Sequence, residues 1–101
     1  MSTVIEYLRS RREENLAEFL EYLKIPCVST TGHRVREGAE HLAALMERAG
    51  IDTRIMDTAG HPAVFGEVKG PEGAATLLVY GHYDVQPADA AEGWTSPPFE
   101  P

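Results

Sequence analysis

Apolar residues recur along the first part of the chain at the spacing of one helical face. Val4, Tyr7 and Leu8 begin the stripe, and Leu16, Phe19, Leu20 and Leu23 continue it. Arg9, Arg11, Arg12, Glu13, Glu14, Glu18 and Glu21 cover much of the rest. The pattern predicts one amphipathic helix over Ser2–Leu23 with a buried stripe. Pro26 ends it, because the residue before a proline avoids the helical region. After a Ser/Thr-rich connection, Cys27–Gly32, a second helix is predicted over Val35–Ala49. Its inward face is Val35, Ala39, Leu42, Met46 and Ala49, and Gly50 is placed as a left-handed terminator.

The period then changes. Ile51–Asp57 reads as a strand with Ile51, Thr53, Ile55 and Asp57 on one face. Ala63–Lys69 reads as a second strand, with Val64, Gly66 and Val68 on one side. Gly70-Pro71-Glu72-Gly73 marks a turn. Thr76–Tyr80 is the most apolar segment; its lack of alternation predicts a strand buried on both faces, under helices. The order is helix, helix, strand, strand, strand, the front end of a larger α/β sheet domain. Gln86–Pro101 has four prolines and no period, and reads as a loop tied down by Trp94 and Phe99.

Composition narrows the function classes. One hundred and one residues make at most one small domain. A net charge of -7 argues against nucleic acid, since an anionic chain has no counterions to release from phosphates. Cys27 is the lone cysteine, so no internal disulfide forms, which fits a reducing compartment. The amino terminus lacks the features of a signal peptide, and no segment approaches the ~20 apolar residues that cross a bilayer. A cytoplasmic protein with no membrane partner is the expectation.

The chemistry concentrates in TLLVYGHYDVQP, Thr76–Pro87. His82 and Asp84 follow an apolar run at once, where open α/β sheets place ligands. A His and an Asp two positions apart share a face of an extended chain. There an imidazole can hold a metal while the carboxylate accepts its other ring N–H. The same residues also fit a surface turn in which they merely hydrogen-bond. His33 reads as a loop residue, His41 as a helix-surface residue and His61 as a turn residue, none at a helical zinc-site spacing. Cys27 reads as a small buried hydrophobe, because no spacing marks a base for it. Ser29, Thr30 and Thr31 read as turn or capping residues. No nucleotide-binding glycine fingerprint occurs. The Arg9, Arg11, Arg12 cluster is offset by Glu13 and Glu14 and reads as a solvated helix face.

The run LLVYGHYDVQP, followed by GWTSPPFEP, closely resembles the amino-terminal catalytic segment of the dinuclear-zinc aminoacylase, carboxypeptidase and dipeptidase family. The form GHYDVQP with PPFEP is most similar to its dipeptidase, carnosinase-like branch. LKIPCVS and VREGAEHLAALMERAG also resemble that family, so the likeness covers nearly the whole chain. The resemblance implies a mixed-sheet catalytic domain with helices on both faces, a three-layer sandwich of which residues 1–101 are the amino-terminal part. It implies His82 as a metal ligand, Asp84 as the catalytic-site carboxylate that clamps the imidazole, and two Zn2+ per site, for which Co2+ or Mn2+ can substitute. The other ligands and the general base of such enzymes lie further along, as does a lid domain through which homodimers form. The implied activity is hydrolysis of a small peptide, most of all a dipeptide, or of an N-acyl amino acid. The isolated 1–101 segment is then expected to be inactive. A metal-free interaction domain on the same sheet is the non-enzymatic alternative.

Overall fold

The structure is a computed structural model and describes residues 2–101. It is a small α/β arrangement of three helices, α1 (Ser2–Ser10), α2 (Arg12–Leu23) and α3 (Val35–Arg48). Two strands follow, β1 (Asp52–Met56) and β2 (Ala63–Glu67), and then a single 3₁₀ turn, Ala90–Glu92. The strands pair antiparallel, with Thr53 opposite Gly66 and Ile55 opposite Val64. α3 lies on this two-stranded sheet, and α2 lies against α3.

The first predicted helix is divided at Arg11, whose backbone (φ -104°, ψ 14°) leaves helical values. The hydrogen-bond ladder nevertheless runs through the break, from Arg11 N–H to the Tyr7 carbonyl and from Asn15 N–H to the Arg11 carbonyl. Ser10 Oγ donates to the Tyr7 carbonyl at 2.8 Å. A hydroxyl that competes for a helical carbonyl in this way bends a helix. The predicted buried stripe forms only at its end: Val4, Tyr7, Leu8, Leu16 and Phe19 are exposed, while Leu20 and Leu23 are half-buried.

α3 follows its sequence pattern closely. Val35, Ala39 and Ala43 are buried, Leu42 and Met46 are half-buried, and Gly50 closes the helix at φ +82°. Ala49, expected inward, is exposed because the helix has ended before it. Val64 and Gly66 on β2, with Thr53 and Ile55 on β1, form the half-buried sheet face. A Cβ at Gly66 would sit 2.3 Å from Met46 Cε and 2.6 Å from Ile51 Cγ2. The missing side chain is what lets α3 approach the sheet. The fully shielded core is small: Ile25, Cys27, Val28, Val35, Ala39 and Ala43.

The third predicted strand is not formed among the described residues. Residues 74–84 are in no strand, and Leu77, Leu78, Val79 and Tyr80 are between 82% and 89% exposed. A strand exists only through a neighbour that takes its backbone groups. Among the described residues, none pairs with Thr76–Tyr80. The three-layer sandwich is correspondingly not formed by these residues. In the tail, Asp89 and Glu92 cap the 3₁₀ turn reciprocally. Phe99 is half-buried there, whereas Trp94 stays 53% exposed.

Candidate metal-ligand pair

The segment 82–85 is held by the connection between α2 and α3. Val85 N–H donates to the Cys27 carbonyl at 3.0 Å, and Val28 and Val85 form a parallel bridge. The Tyr83 carbonyl receives two side-chain donors, the Tyr22 hydroxyl and Cys27 Sγ, the latter at 3.0 Å. The Tyr83 hydroxyl in turn donates to the Pro62 carbonyl at 2.5 Å. Tyr83 is therefore tied at both ends, by its backbone to α2 and by its ring to the turn before β2. His82 and Asp84 flank it in the chain and meet each other through their side chains.

His82 Nδ1 lies 3.0 Å from Asp84 Oδ1 and 3.0 Å from the Asp84 carbonyl oxygen. Both partners only accept when the carboxylate is ionised, so Nδ1 must carry the proton. Nε2 is then the nitrogen with the free lone pair. The second carboxylate oxygen, Asp84 Oδ2, accepts from Ser29 Oγ at 2.5 Å. The Ser29 hydrogen bond, and after it that from His82, hold the Asp84 carboxyl below the usual carboxylate range. Burial pushes the Tyr22, Cys27 and Tyr83 groups upward. For Tyr22 the neighbouring Cys27 adds to this, whereas for Cys27 the hydrogen bond with Tyr22 opposes it.

A cavity of about 430 Å³ opens here, lined among others by Ser29, His61, Pro62, His82, Tyr83 and Asp84. Its wall brings together the candidate pair and two residues that sequence reasoning assigned only to turns. Ser29 is one, and His61, whose Nε2–H donates to the Ser29 carbonyl at 2.7 Å, is the other. Neither contact has a sequence signal, since each joins residues more than thirty positions apart. His33 remains in an exposed loop, its carbonyl accepting from Val28 N–H. His41 departs from the surface placement expected of it. It is half-buried with its ring 5.9 Å from that of Tyr22, and its Nε2 is buried without a hydrogen-bond partner among the described residues. Cys27 is fully buried and free, as expected of a small core residue.

The donor chemistry suits a borderline metal: an imidazole whose tautomer is set by a carboxylate is a common zinc ligand. Among the described residues no group of three or more His, Cys, Asp or Glu is gathered to complete such a site. His82 Nε2 has the chemistry of one such ligand, and no set of further donors is gathered beside it among the described residues.

No protein-family model matches the chain, and no solved structure does. Curated proteins do. The chain is 26% identical over 112 residues to a Cys-Gly metallodipeptidase of Schizosaccharomyces pombe, covering 98% of the chain and 24% of that protein. It is 31% identical over 93 residues to a cysteinylglycine-S-conjugate dipeptidase of Corynebacterium striatum, covering 91% of the chain and 20% of that protein. It is 28% identical over 105 residues to an N-formyl-4-amino-5-aminomethyl-2-methylpyrimidine deformylase of Halalkalibacterium halodurans, covering 97% and 25%. The chain spans a fifth to a quarter of the length of these relatives.

Proposed function

Membership of the metallodipeptidase family is the premise from which we propose that this chain supplies one metal ligand and its orienting carboxylate to an enzyme that hydrolyses a small peptide. The observation that carries the reading is the His82–Asp84 pair, with Nδ1–H on the carboxylate and Nε2 left as donor. The protein that carries this chain would hold two Zn2+, one of them through His82 Nε2, with Co2+ or Mn2+ able to substitute. Such metals, when bound, polarise the scissile carbonyl and lower the pKa of bound water. The part played by this chain is to orient. Asp84 fixes the ring, makes the imidazole a stronger donor and balances positive charge beside it. The loop that carries them is tied to α2 and to Pro62, so the ligand is placed before any metal arrives.

The names of two relatives point to cysteinylglycine and its conjugates, and Cys-Gly is the first substrate to test. The deformylase among the relatives keeps a second reading open, amide hydrolysis of an N-acyl compound at the same pair. The fold proposed for the whole enzyme is the three-layer sandwich, with helices on both faces and Leu77–Tyr80 paired inside its sheet. A lid domain used for dimerisation would lie outside residues 1–101, and residues 1–101 alone would be inactive. A reducing, cytoplasmic setting suits the free Cys27, and no described helix is long and apolar enough to cross a membrane.

The test is an assay of the full-length protein after metal removal, on Cys-Gly, other dipeptides and N-formyl or N-acetyl amines, with and without added Zn2+, Co2+ or Mn2+. Metal-restored hydrolysis of dipeptides supports the reading, and preference for N-acyl substrates selects the second. Absence of metal-dependent hydrolysis on all of them, with no zinc retained by the protein, leaves the metal-free interaction domain in its place.

A further inference from the structure

Asp84 has two carboxylate oxygens, and they are used differently. Oδ1 accepts from His82 Nδ1 at 3.0 Å, and Oδ2 accepts from Ser29 Oγ at 2.5 Å. We propose that Ser29 is a positioning residue that locks the rotation of the Asp84 carboxylate and so sets which nitrogen of His82 is free to bind a metal. The inference rests on the reading of His82 as a metal donor.

The argument follows from what a lone carboxylate can do. A carboxylate on a two-torsion side chain turns about its last bond with little barrier, because that torsion is broad. Held at one oxygen only, it can swing away from the ring. A second hydrogen bond, to the other oxygen and from a different segment, removes that freedom. Ser29 is well placed to provide it, since its own backbone is restrained. Its carbonyl accepts from His61 Nε2–H at 2.7 Å and from Gly32 N–H at 3.3 Å. The neighbouring Val28 is bridged to Val85, one residue beyond Asp84. The hydroxyl is thus fixed relative to the carboxylate by two routes, one through the backbone and one through the side chain. Thr31, the nearby residue of similar chemistry, is already engaged with the Val28 carbonyl and the His33 N–H. It does not duplicate the contact.

The consequence concerns the ring. With Asp84 locked, Nδ1–H is favoured and Nε2 is the open donor. With the hydroxyl removed, the carboxylate is free to turn its oxygens off Nδ1, and in those rotamers the Asp84 backbone carbonyl alone restrains it. The balance then moves toward the Nε2–H form, which has no lone pair for a metal at that position.

The test uses the full-length protein labelled with ¹⁵N-histidine, metal removed, at a pH where the ring is neutral. The imidazole ¹⁵N shifts of His82 report the tautomer directly. Nδ1–H should predominate in the unsubstituted protein and lose ground to Nε2–H in Ser29→Ala, while Ser29→Thr, which keeps the hydroxyl, should restore it. Zinc titrated into each apo form should bind more weakly to Ser29→Ala, at the low end of the ~10–100-fold range typical of outer hydrogen bonds at metal sites. A role confined to stapling two segments would lower the melting temperature of Ser29→Ala and leave the tautomer as it was. That result overturns the proposal, as does failure of Ser29→Thr to restore the tautomer. Because the tautomer is read without metal or substrate, a protein that shows the shift yet binds no zinc contradicts the proposed function and not the role of Ser29.

Discussion

Cys27 Sγ donates to the carbonyl oxygen of Tyr83, a residue fifty-six positions away, at 3.0 Å. The Tyr22 hydroxyl donates to the same oxygen. Two groups usually regarded as core filling therefore grip the backbone between His82 and Asp84. The buried heart of the chain and its candidate site are one structure.

Gly38 should be intolerant of a side chain for this reason. A Cβ there would lie 2.8 Å from Cys27 Cβ and 3.1 Å from Cys27 Sγ. Gly38→Ala gains helix propensity but overpacks the site, which typically costs about 1–3 kcal/mol. Thermal or urea unfolding should show net destabilisation, which Cys27→Ala in the same protein should relieve little, because alanine keeps the Cβ that lies nearest the added methyl.

Gly66 makes the same prediction in the sheet, this time with a rescue. The atoms a Cβ would meet belong to the side chains of Met46 and Ile51. Gly66→Ala is expected to lower stability by about 1–3 kcal/mol. The end of the Met46 side chain is flexible and can swing aside, so the Ile51 Cγ2 methyl is the contact that resists, and Ile51→Ala in the same protein should relieve it. A double-mutant cycle from denaturant midpoints should show favourable coupling between the two substitutions.

Alkaline pH should weaken the Tyr22–Cys27 node. Burial first, then their mutual charge effects, raise Tyr22 from its ordinary 10.0, and burial raises Cys27 from its ordinary 9.0. Acids with raised folded values hold their protons better in the folded state. Their contribution is complete below the unfolded values and is lost as pH rises from about 9 through the folded values. Unfolding midpoints should therefore decline through this window. Tyr22→Phe with Cys27→Ala should flatten the decline even though the starting stability is lower.

The run Leu77–Tyr80 should govern association of the isolated 101-residue chain. It lies in no regular element, is almost wholly exposed and is free of charge, which is the composition that templates pairing between chains. Light scattering should show concentration-dependent association of 1–101, reduced by Leu78→Lys. Equal scattering from both would remove the segment as the cause.

Asp84→Asn keeps the shape of the carboxylate and can still accept from His82, but it removes the charge. Zinc affinity or activity should fall by ~10–100-fold while the fold is retained. Unchanged affinity and turnover would reduce Asp84 to a turn residue.

The elements legible in the sequence are those whose evidence is local. α3 was readable because Val35 and Ala39 recur with the helix period and Gly50 stands where a left-handed terminator is needed. β2 was readable because Val64 and Gly66 alternate with exposed neighbours. His82 and Asp84 meet because two residues of extended chain bring them together. The strand expected over Thr76–Tyr80 was not decidable locally: an apolar run states that burial is wanted, not that a partner is present. The contacts of Ser29 with Asp84, and of Cys27 with Tyr83, cross more than fifty residues and leave no periodic trace. The break at Arg11 is accompanied by a single serine hydroxyl on the Tyr7 carbonyl, a signal too small to divide a helix in advance.

The central claim is that His82 Nε2 is a metal donor. It is tested most directly by zinc stoichiometry of the full-length protein and its His82→Ala variant, measured on folded samples after dialysis against one free-zinc concentration. The account predicts a loss of zinc from one of the two sites, with turnover falling far more than melting temperature. Equal zinc content and near-unchanged turnover in His82→Ala would contradict it.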